Sequence, residues 1–232
     1  MEGERAVRQV LAAAPDAIEE VLASEALPAD FHRFSVRTLE DRQLRAVSTM
    51  TTPQGLIGVL RIPEDAFSDR LPDPPGRRIL LLEDVQDPGN VGTLIRTAAA
   101  FGYSGVLMSA RCADPFSPKA VQATAGSVLS VWIRRTSAHL EMIDGFRERG
   151  FFLVAMDLRG EGMVEDALES ESLILALGSE ATGLSEGVLR RADARVRIPV
   201  ADSRAESLNV AACGAVCMYI SSKYDHHRYG KA

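Results

Sequence analysis

From residue 79 onward the chain repeats one pattern: a short, largely apolar run, then a longer stretch with helical spacing. The runs fall at 79–83, 105–108, 130–133, 151–156, 173–177 and 194–198. A strand that alternates apolar and polar residues buries one face of a sheet, whereas a continuously apolar strand needs cover on both. Such strands with helices between them predict a parallel sheet sandwiched between helical layers, an α/β fold.

The first 70 residues are organised differently. Val7, Val10 and Leu11 suit a helix, 17–23 reads as a strand after it, and 34–36, 39–47 and 56–62 read as strand, helix and strand. This is a small α/β unit. It is followed by FSDRLPDPPGRR, where Pro72, Pro74, Pro75 and Gly76 interrupt regular structure. The expected organisation is a small α/β domain over 1–70, a linker over 71–77, a larger α/β domain over 78–224 and a polar tail over 225–232. His226 and His227 in that tail are adjacent, point apart on most backbones and lack cysteine or carboxylate partners, so no metal site is expected there.

Composition narrows the function classes. A formal charge of −6 and a pI near 5.3 argue against a nucleic-acid partner, because phosphate contacts supply most of the affinity in such complexes, although the local field rather than the sum decides. The positive charge is almost all arginine, with lysine only at Lys119, Lys223 and Lys231, and arginine suits bidentate contact with phosphate. Cys112, Cys213 and Cys217 show no CxxC spacing, so neither a disulfide framework nor a zinc site is indicated. Cys213 and Cys217, one helical turn apart, read as small core residues. No apolar run approaches the roughly 20 residues that span a bilayer, and the opening MEGERAVRQVLAAAP carries acidic residues in place of a basic leader; a cytoplasmic protein is expected.

Three segments carry candidate chemistry. LLLEDVQDPGNVGTLIRTAAAFG (80–102) reads as a buried strand, a Pro and Gly turn, and a helix beginning near Asn90 or Val91. Gly89 and Gly92 would let backbone approach a ligand, and Asn90 sits where an N-cap would sit. Arg96 interrupts a small, apolar helix surface; taken alone it reads as a structural ion pair, and otherwise as a group that meets water or a phosphate. SLILALGSEATGLSEGVL (172–189) places Gly178, Ser179 and Glu180 at a strand's carboxyl end, where open α/β sheets collect ligands, ahead of a helix capped by Ser185. VRIPVADSRAESLNVAACGAVCMYISSKY (196–224) reads as a strand, a polar loop, and a helix from about Ser207 to Ser222 whose small residues permit close packing. No GxGxxG follows an early strand, no GxxxxGK[ST] occurs and no GxSxG elbow comes with a plausible triad, so dinucleotide, P-loop and hydrolase sites find no support.

Together, DPGNVGTLIRTAAAFG, LGSEATGLS and IPVADSRAESLNVAACGA resemble the three signature motifs of the SpoU (TrmH-like, SPOUT) RNA 2′-O-ribose methyltransferases, in order and spacing. The resemblance covers about Ile79 to Lys223. EGERAVRQVL, IEEVLASE and MTTPQGLIGVL resemble, more loosely, the substrate-binding domain that many members carry; such domains usually start earlier, so this one is read as N-terminally incomplete. Two departures stand out: Asp202 where the family usually has glycine, in a loop one residue longer, and Ser179 and Ala181 where asparagine and glycine are frequent.

The resemblance implies a sheet whose C-terminal part forms a deep trefoil knot, a homodimer, and bent S-adenosyl-L-methionine as methyl donor. It implies donor contacts at Leu177, Gly178, Ile198, Ser207 and Leu208, and a catalytic group of Asn90, Arg96, Glu180 and Asn209. RNA is the implied partner, ribosomal RNA first and tRNA second. The alternatives are a non-catalytic RNA-binding or ribosome assembly factor on the same fold, and a small-molecule nucleotide enzyme on a doubly wound sheet.

Overall fold

The computed structural model describes residues 1–200 and 208–224. Expectations that concern Asp202, Ser207, the loop between them, and the tail with His226 and His227 lie outside the described residues.

The chain opens with helix α1 (Glu4–Ala13), strand β1 (Ile18–Ala23), β2 (Val36–Thr38), α2 (Asp41–Val47) and β3 (Leu56–Leu60). β1 lies between β2, parallel to it, and β3, antiparallel to it. Val7, Val10 and Leu11, on one face of α1, pack with Ile18, Val21, Phe31 and Leu56 into a separate small core. The strand expected at 34–36 begins two residues later, because Phe34 still closes a turn with its N–H on the Phe31 carbonyl.

The larger part runs β4 (Arg78–Glu83), α3 (Pro88–Ala100), β5 (Gly105–Ser109), α4 (Pro118–Thr124), β6 (Trp132–Thr136), α5 (His139–Glu148), β7 (Phe152–Met156), β8 (Gly162–Met163), α6 (Val164–Ala167), β9 (Leu173–Gly178), α7 (Glu186–Leu189), β10 (Ala194–Arg197) and α8 (Val210–Ser222). Its seven strands form one all-parallel sheet in the order β6-β5-β4-β9-β7-β10-β8. Every residue of β4 is buried, and its side chains alternate between two cores. Leu80 and Leu82 join Leu94, Ile95, Cys217 and Met218 under α3 and α8; Ile79 and Leu81 join Met142, Ile143 and Phe146 under α5. This two-sided burial is the physical cause of the continuous apolar runs.

Sequence reading misplaced several boundaries. The strand expected at 130–133 starts at Trp132, since Ser130 ends a 3-10 turn over Ser127–Leu129. β8, two residues long and exposed, lacks the apolar signal that would announce it. Gly92 serves packing rather than a ligand: a Cβ there would stand 2.3 Å from the Ala120 carbonyl oxygen, so the glycine lets α3 and α4 touch. Of the two helical cysteines, Cys217 is fully buried, whereas Cys213 is only half-buried and reaches a cavity wall.

The two parts are tied together. Gln9 on α1 donates to the Ser127 hydroxyl at 2.9 Å, and a Cβ on Gly126 would stand 2.7 Å from the Ala6 carbonyl oxygen. Asp65 pairs with Arg134, and Asp69 accepts from Thr136, both on β6. The 71–77 stretch is itself anchored, with Trp132 Nε1 donating to the Pro75 carbonyl at 2.9 Å. Among the described residues no helix is long and apolar enough to cross a membrane.

Candidate active site

The chain runs from β4 outward through β5 and β6, then returns to β7 on the other side, and β9 inserts next to β4. Strand order therefore reverses beside β4 and β9, the position at which open α/β sheets leave a crevice above the carboxyl ends of their strands. Glu83 and Gly178, the last residues of these two strands, are register partners.

Above β4, α3 starts one turn earlier than the sequence suggests. Asp87, not Asn90, is its N-cap: the Asp87 side chain accepts from the Asn90 backbone N–H at 2.9 Å, with Pro88 in the first turn. A hydrogen bond from Lys119, together with that N–H, holds the Asp87 carboxyl below the usual carboxylate range. Relieved of capping, the Asn90 side chain is free to reach across the crevice. Its Nδ2 donates to Glu180 Oε1 at 2.6 Å.

The third motif supplies the other neighbour. α8 begins at Val210 rather than near Ser207, because Asn209 is its N-cap and accepts from Ala211 N at 2.9 Å and Ala212 N at 3.3 Å. With Asn209 Oδ1 committed to those amides, its Nδ2 faces Asn90 Oδ1 at 3.2 Å. The polarity of the chain is thereby set: helix amides orient Asn209, Asn209 orients Asn90, and Asn90 presents its donors to the Glu180 carboxylate.

Beside this chain lies a cavity of about 480 Å³, inside the roughly 300–1,000 Å³ typical of small-molecule sites. Leu177, Gly178, Ile198 and Leu208, all singled out by the sequence, line it, together with Glu180. The loop after β9 closes on itself through a bridge between Ser179 and Gly183, where Gly183 has φ 69° and a Cβ on Gly178 would meet the Gly183 backbone at 2.3 Å. Asp157, Arg159 and Arg197 also line the cavity and were missed from sequence. Their signal was available: each sits at or just past the carboxyl end of β7 or β10.

Arg96 stands apart from the amide chain. It is exposed on α3, between buried Ile95 and buried Ala98, and among the described residues no hydrogen bond or ion pair holds it. The structural ion pair expected from sequence is thus replaced by an available guanidinium, six residues or ~9 Å along the helix axis from Asn90.

Comparison with known proteins fits this geometry. The profile of the SpoU rRNA Methylase family matches residues 77–219. The chain belongs to that family. Among SpoU relatives, it is 30% identical over 222 residues to the Bacillus subtilis 23S rRNA (guanosine(2553)-2′-O)-methyltransferase RlmP, covering 94% of this chain and 86% of the relative. It is similar to the SpoU methyltransferase AviRb from Streptomyces viridochromogenes in complex with AdoMet, with a TM-score of 0.82, 25% identity, and 96% and 88% of the two chains covered. It is also similar to the AdoMet-bound rRNA methyltransferase from Sinorhizobium meliloti, with a TM-score of 0.78, 27% identity, and 97% and 86% covered. The seven-stranded parallel sheet of the SpoU fold and the small three-stranded sheet ahead of it both fall within these alignments.

Proposed function

We propose that this SpoU protein is an RNA methyltransferase that uses S-adenosylmethionine to methylate a ribose 2′-oxygen, with ribosomal RNA as its first substrate class and tRNA as its second. The observation that carries the reading is the Asn209, Asn90 and Glu180 chain beside a cavity walled by Leu177, Gly178, Ile198 and Leu208. The cavity chemistry fits the donor. Leu177, Ile198 and Leu208 offer an apolar wall to an adenosine, the Glu180 and Asp157 carboxylates suit a cationic centre, and Arg197 suits a carboxylate. Ser207, one further residue expected to touch the donor, lies outside the described residues.

The donor supplies an electrophilic methyl group; this chain supplies position and charge. Asn90, Glu180 and Asn209 form a rigid polar rim that orients the ribose. Arg96 is assigned no role as base, because a guanidinium only donates hydrogen bonds. It acts as an electrostatic clamp on the alkoxide that develops as the 2′-oxygen loses its proton to water or to a group Arg96 orients.

The working unit is a homodimer. Val216 and Tyr219 are exposed at 40% and 52% on α8, and the Tyr219 ring lies 6.1 Å from that of Phe101 at the end of α3, so an apolar stripe runs close to the helix bearing Arg96. An exposed apolar stripe of this kind suits a two-fold interface. Within each subunit, residues 1–70 serve as a small RNA-binding domain, 71–77 as linker and 78–224 as the methyltransferase domain, whose C-terminal part forms the trefoil knot. The separate core of the N-terminal sheet supports this division. The protein works in the cytoplasm.

Calorimetric titration with S-adenosylmethionine tests the reading. Saturable binding near one site per chain, abolished by Leu208→Arg, supports it. No binding, with RNA present or absent, contradicts it and favours an RNA-binding factor without transfer activity.

A further inference from the structure

Glu83 has no part in the transfer scheme above, yet this carboxylate is buried, 5% exposed, at the carboxyl end of β4. Burying a charge is costly unless its oxygens are met by donors. Here they are. Oε2 accepts from the Ser185 backbone N–H at 2.7 Å, and Oε1 accepts from the Ser185 hydroxyl at 2.7 Å and from His139 Nε2 at 3.1 Å. The burial works against ionisation, but the bonds from His139 and Ser185 outweigh it and hold the carboxyl below its usual range.

These contacts fall at both ends of one segment. The backbone of Glu83 pairs with Gly178, where the loop leaves β9, while its side chain grips Ser185, where the loop ends at the N-cap of α7. Between these points the segment is closed by the bond from Gly183 N to the Ser179 carbonyl at 2.8 Å. It lends Gly178, Ser179, Thr182 and Leu184 to the cavity wall and Glu180 to the Asn90 hydrogen bond. One buried carboxylate therefore spans the segment that serves both the cavity and the polar rim.

We infer that Glu83 is a positioning residue for methyl transfer: by holding Ser185 it keeps the 178–185 segment closed around the donor cavity, and so sets donor affinity and the reach of Glu180 to Asn90. This rests on the donor-binding reading of the cavity. Glutamine at position 83 has nearly the same shape but only one acceptor oxygen. With its oxygen on the Ser185 N–H, its NH₂ faces the Ser185 hydroxyl and His139, which must then accept rather than donate, so the charge-assisted bonds to the carboxylate give way to weaker neutral ones.

The test is donor titration of purified wild-type protein, Glu83→Gln, Ser185→Ala, the Glu83→Gln/Ser185→Ala double variant, and Val131→Ala. Val131 precedes β6 at the far edge of the sheet and serves as a control for general loss of stability. The dissociation constant is expected to rise about tenfold in Glu83→Gln, the scale on which groups that hold ligating side chains in place act elsewhere. Val131→Ala should stay within about twofold, and the loss in the double variant should fall short of the two single losses combined, since both changes touch the Ser185 hydroxyl contact while Ser185→Ala also removes the α7 cap. Wild-type affinity in Glu83→Gln, or an equal loss in Val131→Ala, overturns the inference while leaving the donor-binding reading intact. Failure of wild-type protein to bind the donor overturns both.

Discussion

Asn90 and Glu180, 90 residues apart in sequence, meet through a 2.6 Å hydrogen bond above the adjacent carboxyl ends of β4 and β9. The contact exists because Asp87 takes over the capping of α3 and Asn209 fixes the orientation of the Asn90 amide. Neither partner can be replaced by a group of opposite hydrogen-bonding sense without breaking the chain.

Asn209→Asp separates the two duties of that residue. Aspartate still accepts from Ala211 N and Ala212 N, and a negative charge suits a helix N-terminus, so the melting temperature should hold or rise slightly. It cannot donate to Asn90. Turnover should fall about tenfold or more, whereas Asn209→Ala should lose turnover and also about 1 kcal/mol of stability. Thermal melting paired with a methyl-transfer assay checks both; a fully active Asn209→Asp contradicts the role of the chain.

Arg96→Ala should leave the fold untouched, because the side chain is exposed and no hydrogen bond or ion pair holds it among the described residues. Turnover should drop by roughly 100-fold or more, the scale for removing a donor that stabilises developing charge, with donor affinity nearly unchanged. Steady-state kinetics beside calorimetry read the split.

Gly92→Ala tests the packing of α3 on α4. The added Cβ would stand 2.3 Å from the Ala120 carbonyl oxygen and 2.7 Å from the Ala123 Cβ. Overpacking of this kind costs about 1–3 kcal/mol, which urea unfolding would register as a lower midpoint at unchanged slope.

Acid stability should carry the signature of Glu83. Its folded-state pKa lies below the ordinary value of 4.5, so the stability it contributes is present above that value and is lost as pH falls through the folded pKa. Unfolding free energies measured from neutral pH downward should therefore decline more steeply in wild type than in Glu83→Gln. Parallel acid limbs would contradict the assignment.

Sequence legibility followed burial. The central strands were readable because two-sided burial writes an unbroken apolar run, as in β4, and β8 was missed because Gly162 and Met163 are exposed and carry no such run. Asn90 was singled out both as a possible N-cap and, through the motif resemblance, as one of the catalytic group; Asp87 and Asn90 both suit an N-cap, and only the geometry of the turn gives the cap to Asp87. Glu83 and His139 went unread: a lone carboxylate at the end of an apolar strand gives no hint that its partners lie at 139 and 185. Leu177, Gly178, Ile198 and Leu208, which line the cavity, were singled out through motif resemblance, and Gly178 also through its place at a strand's carboxyl end.

The most direct test of the central claim uses tritiated S-adenosylmethionine and ribosomal RNA from cells lacking the protein. A 2′-O-methyl group removes the hydroxyl that alkali needs to cleave the next phosphodiester, so ribose methylation and base methylation separate on complete alkaline hydrolysis. Label in alkali-stable dinucleotides, lost with Arg96→Ala, is the result expected of a ribose 2′-O-methyltransferase. Label in mononucleotides, or no label with ribosomal or transfer RNA, would contradict it.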